Sequence, residues 1–524
     1  MDISKSTHAS RPPVVAVIVT CLGVVLAVRP AFAHGFGQRY DLPVPLWLWV
    51  SGAALAVALS FVVMGLFIRG TPGLHGYPRA NLLRWRVGPL LTHPVVTITA
   101  KAVGVILLGL VVVTGIVGSQ NPSRNPAPTL VWVLWWVGFA YISALIGNLW
   151  ALVNPWSTLF AWAENLFNDS DHEPGLRFRY PKGLGVWPAV ALFLAFAWVE
   201  LVFAGRALPA NLALFAVVYS LITWTGMALF GRAVWLVHGD PFALAFGVLA
   251  RFSPTEVRVT DPAVCRMCPI DCRDRRGECV DCYTCFARAR EAERELNVRP
   301  FAVGLLRDAP LSASMMTFVV LLLSTVTFDG FTATPAWADA ESALYAALPA
   351  LGSSRLAAIG TLGLLTFPAL FLGIYSGFAH WMATAGGRPT AAGPIARAFV
   401  LSLVPIAIGY HLAHYFTYLL IQGQLVIPLA SDPLARGWDL LGTTGHRPDI
   451  GVVGARFAWY TAVLAIVLGH IVAVFVAHVT ALREFESRGV ALRSQYPMLA
   501  LMVGYTMLSL WIVAQPIVET GAPG

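Results

Sequence analysis

Ten stretches of this chain are apolar over about twenty residues, the length that an α-helix needs to cross the roughly 30 Å hydrocarbon layer of a bilayer. Hydrophobic residues make up 57% of the 524 residues and charged residues only 12%, whereas globular domains carry about 25% charged residues. The sequence therefore predicts an all-α fold, a polytopic transmembrane helix bundle. The ten stretches lie at 44–68, 97–117, 130–153, 185–204, 211–230, 311–328, 356–377, 397–422, 457–479 and 497–518.

A signal peptide is predicted before the first of these stretches. Lys5 and Arg11 precede an apolar run at 14–28, and an A-x-A cleavage site ends at Ala33. The alternative is an uncleaved anchor helix. Cleavage would give His34 a free α-amine beside its imidazole, and such a pair can chelate copper, so His34 is a candidate metal ligand.

The distribution of Lys and Arg predicts the topology. If residue 34 starts outside, the inner loops 69–96, 154–184, 231–310, 378–396 and 480–496, with Arg397 included, hold 24 of these residues and the outer segments hold seven. This bias satisfies the positive-inside rule. We therefore expect a plasma membrane protein with both termini outside. The net charge of +8 is loop charge that orients helices, so no nucleic acid partner is expected.

The long loop divides the chain into four parts. These are a signal peptide at 1–33, a five-helix bundle at 34–230, a cytoplasmic cysteine-rich loop at 231–310 and a second five-helix bundle at 311–524. Five plus five helices with opposite starting directions also fit an inverted-repeat permease. No residue-level similarity between the halves supports that alternative.

Six of the seven cysteines lie in this loop, with the spacing C-x2-C-x3-C-x6-C-x2-C-x2-C. A cytosolic cluster of this kind favours metal over disulfides. Zinc is favoured, in one four-cysteine site or in a binuclear cluster on all six, and an iron–sulfur cluster is the alternative. In the zinc case the predicted role is a structural staple. The candidate ligands are Cys265, Cys268, Cys272, Cys279, Cys282 and Cys285.

Three histidines lie at matching depth in predicted membrane helices, where ionisable groups usually face a cavity or a partner. His411 and His414 are three residues apart and share a helical face, and His470 lies near mid-depth in the next helix. Three converging imidazoles would bind a divalent metal with an open position for water. Two of them could instead ligate a b-type haem, or all three could be hydrogen-bonded interhelical residues.

Two carboxylates are candidates for catalysis. Glu200 lies near the predicted outer end of the fourth helix, and Asp329 lies at the outer end of the sixth. Either one is suited to act as the base that orients a water molecule.

Several stretches resemble the prokaryotic integral membrane proteins known as fenitrothion hydrolases. They are HGFGQRYDLP at 34–43, LWALVNPW at 149–156, STVTFDGF at 324–331, RSQYPM at 493–498, YTMLSLW at 505–511 and QPI at 515–517. The resemblance implies hydrolysis of an organophosphorus triester with release of a nitrophenol, and a second membrane subunit. It transfers no catalytic residues.

Together these features predict a membrane-bound, metal-assisted hydrolase of a lipophilic substrate that reaches the site through membrane lipid. His411, His414 and His470 would hold the metal, with Asp329 or Glu200 as the base. The alternatives are a redox membrane protein, with iron–sulfur in the loop and haem or copper at the histidines, and a proton- or metal-coupled permease.

Overall fold

The computed structural model describes residues 40–68, 70, 77–167, 178–266, 268, 272–273, 279–306 and 311–519. The predicted signal peptide and His34 lie outside the described residues. Ten helices in this part of the chain are long and apolar enough to cross a membrane, which confirms the predicted all-α polytopic bundle. We name them TM1 (Leu46–Phe67), TM2 (Pro94–Val117), TM3 (Thr129–Gly138 continued by Phe139–Leu145), TM4 (Trp187–Leu201), TM5 (Pro209–Phe230), TM6 (Ala313–Thr332), TM7 (Arg355–Ala385), TM8 (Val404–Gln422), TM9 (Ala455–Glu484) and TM10 (Arg488–Ile517).

Shorter helices connect or flank these spans. They are Gly88–Leu91, Pro126–Pro128, Trp150–Val153, Pro155–Phe167, Arg232–His238, Pro241–Ala250, Pro262–Arg266, Tyr283–Arg288, Pro335–Ala347, Ala392–Phe399 and Val426–Ser431.

The strands are short and lie at the ends of the bundle. β1 (Tyr40–Asp41) pairs in parallel with β6 (Val518–Glu519). The two ends of the described chain therefore meet on one side, as an even number of spans requires. The other strands are β2 (Ala80–Asn81), β3 (Thr255–Val259), β4 (Cys279–Val280) and β5 (Arg294–Val298), which form an antiparallel sheet in the order β2-β5-β3-β4.

The predicted loop at 231–310 begins with two helices, Arg232–His238 and Pro241–Ala250. Gly231, at φ 87°, separates TM5 from the helix Arg232–His238, and a 69° bend follows before Pro241–Ala250. Phe242 and Phe246 on the second helix are buried in the bundle core. Each helix is too short to span a bilayer alone, so an apolar window of about twenty residues did not separate the pair from the loop.

Small residues set the contact between TM8 and TM9. A Cβ at Gly409 would lie 2.5 Å from the Ala465 carbonyl oxygen, and a Cβ at Gly469 would lie 2.6 Å from that of Pro405. These positions therefore need glycine for the two backbones to pack closely, as is common between membrane helices. The close crossing fixes how both helices are rotated, and hence where their histidines point.

Candidate functional sites

Six cysteines of the loop converge within the small domain that carries the sheet. The Sγ atoms of Cys265, Cys272, Cys279 and Cys285 all lie within 4.8 Å of one another. The Sγ atoms of a second set, in which Cys268 and Cys282 replace Cys265 and Cys279, satisfy the same limit. The cluster can therefore hold a metal ion, as predicted.

The protein environment perturbs these thiols before any ion is considered. Burial raises the pKa of Cys272 to about 12. A hydrogen bond with Cys279 lowers the pKa of Cys282 to about 5, despite the opposing effect of burial. Thiols packed this closely are suited to coordination, because a metal ion displaces their protons and binds them as thiolates.

A second polar cluster joins TM6 to TM8. The Nε2 atom of His414 lies 2.9 Å from Oδ2 of Asp329, and the Tyr415 hydroxyl donates to the same oxygen at 2.6 Å. The side chains of His414 and Asp329 are 20% and 26% exposed, so the pair is not sealed in the core. A side chain at Gly330 would overlap the hydroxyl oxygen of Tyr410, which explains why glycine follows Asp329 where TM6 approaches TM8.

His411 lies beside this pair and contacts TM3. Its ring centroid is 5.4 Å from that of Tyr141, whose hydroxyl donates to the His411 backbone carbonyl at 3.4 Å. The Nε2 atom of His411 is buried and has no hydrogen-bond partner among the described residues. Tyr141 follows a ten-residue π-helix, Thr129–Gly138, and such segments are frequent at functional sites. Sequence periodicity does not reveal this π-helix, because such a segment leaves no clear periodic signal.

Glu200 lies at the same end of the bundle, on TM4. Its carboxylate is within electrostatic range of Asp329 and of the Arg206 guanidinium, and it interacts with the Trp136 side chain. The structure therefore brings Glu200, Asp329, His411 and His414 into one neighbourhood, which we call the TM6–TM8 site.

His470 does not join this neighbourhood. It is only 1% exposed, its Nδ1 lies 2.8 Å from the Ile466 carbonyl oxygen, and its ring centroid is 5.8 Å from that of Tyr505. Among the described residues, three or more metal-ligating atoms lie within 4.8 Å of one another only at the loop cysteines. The expected convergence of His470 with His411 and His414 is thus not observed. TM9 turns this imidazole toward TM10 instead.

The two candidate sites lie at opposite ends of the bundle. TM6 starts directly after the cysteine domain. TM4 starts beside the first turn of TM6, where the Ser314 hydroxyl accepts a hydrogen bond from the Val186 amide at 2.9 Å. Asp329 lies 16 residues beyond Ala313, or about 24 Å along a helix that rises 1.5 Å per residue. Glu200 is likewise near the far end of its helix.

A third polar group was not assigned a role from sequence. Asp240, fully buried at the bend between Arg232–His238 and Pro241–Ala250, caps the second helix by accepting from the Phe242 and Ala243 amides at 2.9 and 3.0 Å. It also accepts hydrogen bonds from the Tyr219 hydroxyl at 2.9 Å and the Asn154 amide at 3.3 Å. Asp-Pro in an apolar context is the signal that marks this break.

Comparisons of the chain with family models, with curated proteins and with solved structures found no match.

Proposed function

We propose that this protein is a membrane-embedded hydrolase of lipophilic organophosphorus triesters and that the TM6–TM8 site activates the attacking water. The observation that carries the proposal is the hydrogen-bonded pair of Asp329 and His414, reinforced by Tyr415. A carboxylate that holds an imidazole at 2.9 Å is the arrangement of a general base and its orienting group. The sequence resemblance to fenitrothion hydrolases supplies the substrate class.

Asp329 and His414 have different roles in this proposal. Asp329 accepts the Nε2 proton of His414, so Nδ1 carries the lone pair that receives a proton from water. The hydroxide formed attacks phosphorus, a P–O bond to water forms, and the P–O bond to the aryl group breaks to release a nitrophenolate. Asp329 stabilises the imidazolium, and the hydrogen bond from Tyr415 keeps the carboxylate oriented.

The metal-assisted form of this reaction has less support from the residue positions. A three-histidine site requires His470 beside His411 and His414, and His470 packs against TM10 instead. The proposed reaction therefore has no step that involves a metal ion. The buried, unpartnered Nε2 of His411 remains available to a polar group of the substrate.

The proposal includes a location and partners. The excess of Lys and Arg in the inner loops supports a cytosolic cysteine domain, and the resemblance supports a prokaryotic plasma membrane. The TM6–TM8 site would then lie toward the outer leaflet, where a lipophilic triester concentrates. A second membrane subunit follows from the resemblance. Zinc, held by the loop cysteines, is the proposed metal.

Fenitrothion hydrolysis by membranes that contain the protein tests this proposal. His414→Gln and Asp329→Asn should each lower the rate of nitrophenol release at least a hundredfold, which is typical for loss of a general base. His446→Gln changes an exposed loop histidine and serves as the matched control. Undiminished activity of His414→Gln, or no hydrolysis by the unaltered protein, would refute the assignment.

A second candidate function, a proton-coupled permease, has its own supporting observation. A bent helix pair with a buried carboxylate at its break, here Asp240, resembles the discontinuous helices that form transporter sites. Vesicles loaded with a pH-sensitive dye would detect a proton flux that Asp240→Asn abolishes. A flux unaffected by that substitution would eliminate this candidate.

A further inference from the structure

The loop has two overlapping sets of four cysteines, whereas a single metal site requires only one such set. One set is Cys265, Cys272, Cys279 and Cys285, and the other is Cys268, Cys272, Cys282 and Cys285. Each set provides the four sulfur atoms that a tetrahedral thiolate site needs. Together the two sets use all six cysteines, and Cys272 and Cys285 belong to both sets. Two tetrahedra that share two corners have a common edge.

The sulfur separations match this arrangement. Tetrahedral coordination with metal–sulfur bonds of about 2.3 Å places neighbouring sulfur atoms roughly 3.8 Å apart. The Sγ atoms of Cys279 and Cys272 are 3.7 Å apart, and those of the shared pair, Cys272 and Cys285, are 3.4 Å apart. Both separations are close to the edge length of such a tetrahedron, so Cys272 and Cys285 are near enough to form an edge that two sites share.

We propose that the loop holds a binuclear zinc–thiolate cluster in which Cys272 and Cys285 bridge the two ions. Cys265 and Cys279 complete the shell of one zinc ion, and Cys268 and Cys282 complete the shell of the other. This site is independent of the proposed hydrolysis at the other end of the bundle.

Other uses of the six thiols fit the geometry less well. Two separate four-cysteine sites need eight ligands. A single zinc ion bound by the first set would leave Cys282 without a metal. A single zinc ion bound by the second set would leave Cys265 and Cys279 without one. All three of these residues are less than 9% exposed. In an iron–sulfur cluster each iron shell is completed by inorganic sulfide, so four thiolates do not crowd into one tetrahedron. All six residues are free thiols, and 3.4 Å is far beyond a disulfide bond of about 2.05 Å.

The cysteines lie on different helices and strands of the domain. Cys265 lies on the helix Pro262–Arg266, Cys279 lies on β4 opposite Val259 of β3, and Cys285 lies on the helix Tyr283–Arg288. Asp281, at φ 57°, makes the tight turn between β4 and that last helix. The cluster would therefore join two helices to the edge of the sheet.

The core of this domain also depends on the cysteines. Among the described residues, the apolar cluster around the thiols contains only Val259 and Ala289 as buried residues besides the four buried cysteines. Such a small apolar surface cannot offset the entropy of ordering the segment, whereas zinc–thiolate bonds supply folding free energy directly. Two divalent ions leave part of the charge of six thiolates uncompensated, and Arg266, Arg273 and Arg288 lie next to or near the ligands in sequence.

Metal analysis of the full chain, purified in detergent without a metal-affinity step, tests the proposal. We expect two zinc ions per chain, no reaction of the six loop cysteines with iodoacetamide in the native protein, and X-ray absorption with sulfur-only first shells and a zinc–zinc scattering distance. One zinc ion per chain with two alkylated loop cysteines would overturn it. So would iron with acid-labile sulfide, or loop cysteines without bound metal.

Two variants distinguish bridging from terminal ligands. Cys268→Ser removes a terminal ligand, so the zinc ion bound by Cys265 and Cys279 should remain and the zinc content should fall from two to about one. Cys272→Ser removes a bridge, so both ions should be lost to a chelator at least tenfold faster. Equal effects of the two substitutions would contradict the bridged arrangement. The metal count of the unaltered chain decides the proposal even if Cys272→Ser fails to accumulate.

Discussion

The ion network at the base of the sheet gives the sharpest stability prediction. The Glu256 carboxylate, with no exposed side-chain surface, accepts from the Tyr77 hydroxyl at 2.6 Å and from the Asn297 amide at 3.2 Å. It forms ion pairs with Arg299 at 2.9 Å and Arg258 at 3.4 Å. Glu256→Gln keeps the shape of the side chain and removes its charge, so it leaves buried guanidinium groups with less compensation.

The destabilisation caused by Glu256→Gln depends on the carboxylates that remain beside the arginines. Breaking a buried ion pair from one side costs about 3–5 kcal/mol. Arg299 keeps a second carboxylate, Asp281, at 3.4 Å, so we expect the lower end, about 3 kcal/mol. Since every 1.4 kcal/mol is a factor of ten, the sheet should open roughly a hundredfold more often.

Hydrogen–deuterium exchange of the purified chain measures this opening directly. Amides of β3 and β5 should exchange roughly a hundredfold faster in Glu256→Gln, while amides within TM9 keep their protection. Glu291→Gln removes an exposed charge near the same sheet and should change little. Protection of β3 and β5 within threefold of the unaltered protein would show that the network does not hold the sheet.

The same residue predicts a pH dependence. Burial alone would raise the pKa of Glu256, but the hydrogen bond from Tyr77 and the charges of Arg299 and Arg258 outweigh it and lower the pKa. The stabilisation is therefore complete above the pKa of the unfolded chain and is lost as the pH falls through the lowered pKa of the folded state. The difference in protection between the unaltered protein and Glu256→Gln should vanish there. Loss of the proposed loop zinc at low pH would affect both proteins and cancel in the difference.

Three further predictions concern the membrane helices and the metal. Gly409→Ala should destabilise the TM8–TM9 contact by about 1–3 kcal/mol through overpacking, seen as a lower melting temperature in detergent, whereas Gly373→Ala, with no atom within 4 Å of its added Cβ, should not. Tyr415→Phe removes a hydrogen bond to Asp329 and, if Asp329 orients His414 as proposed, should lower kcat about tenfold at unchanged protein yield; an unchanged kcat would remove Tyr415 from the site. Acidification from pH 8 to pH 4 should release the zinc that we propose in the loop to a colorimetric chelator, because coordinating thiolates must take up protons.

Hydropathy was sufficient to predict the helical scaffold. The ten apolar windows coincide with ten helices because each spans a bilayer only if nearly every residue is apolar, a condition that leaves a strong signal. The bent pair that starts at Arg232 gave no such signal, since each half is short and the break at Asp240 interrupts the window. Its burial is decided by contacts with aromatic side chains of TM3, which a window average does not contain.

Helix rotation limited what could be inferred about the TM6–TM8 site. The spacing of His411 and His414 places them on one face of TM8, but it does not say which helix that face meets. In the structure His414 meets Asp329 of TM6, and His411 meets Tyr141 of TM3. His470 was expected beside them from depth alone, and the glycine crossing between TM8 and TM9 rotates it elsewhere. The six cysteines were easier to interpret, since ligands so close in sequence need little help from the fold to meet.

The distance between the two sites makes their roles separable by experiment. Sites more than 7–10 Å apart with no shared partners usually act additively, and Asp329 lies about 24 Å of helix away from the cysteine domain at 1.5 Å per residue. Cys279→Ser should therefore lower the amount of folded protein, whereas the kcat of the fraction that remains folded should stay within about twofold of the unaltered value. Combined with Asp329→Asn, its effect on yield should be unchanged. A fall of kcat in step with zinc loss would instead place the metal in the chemistry, and the loop would then be part of the catalytic apparatus.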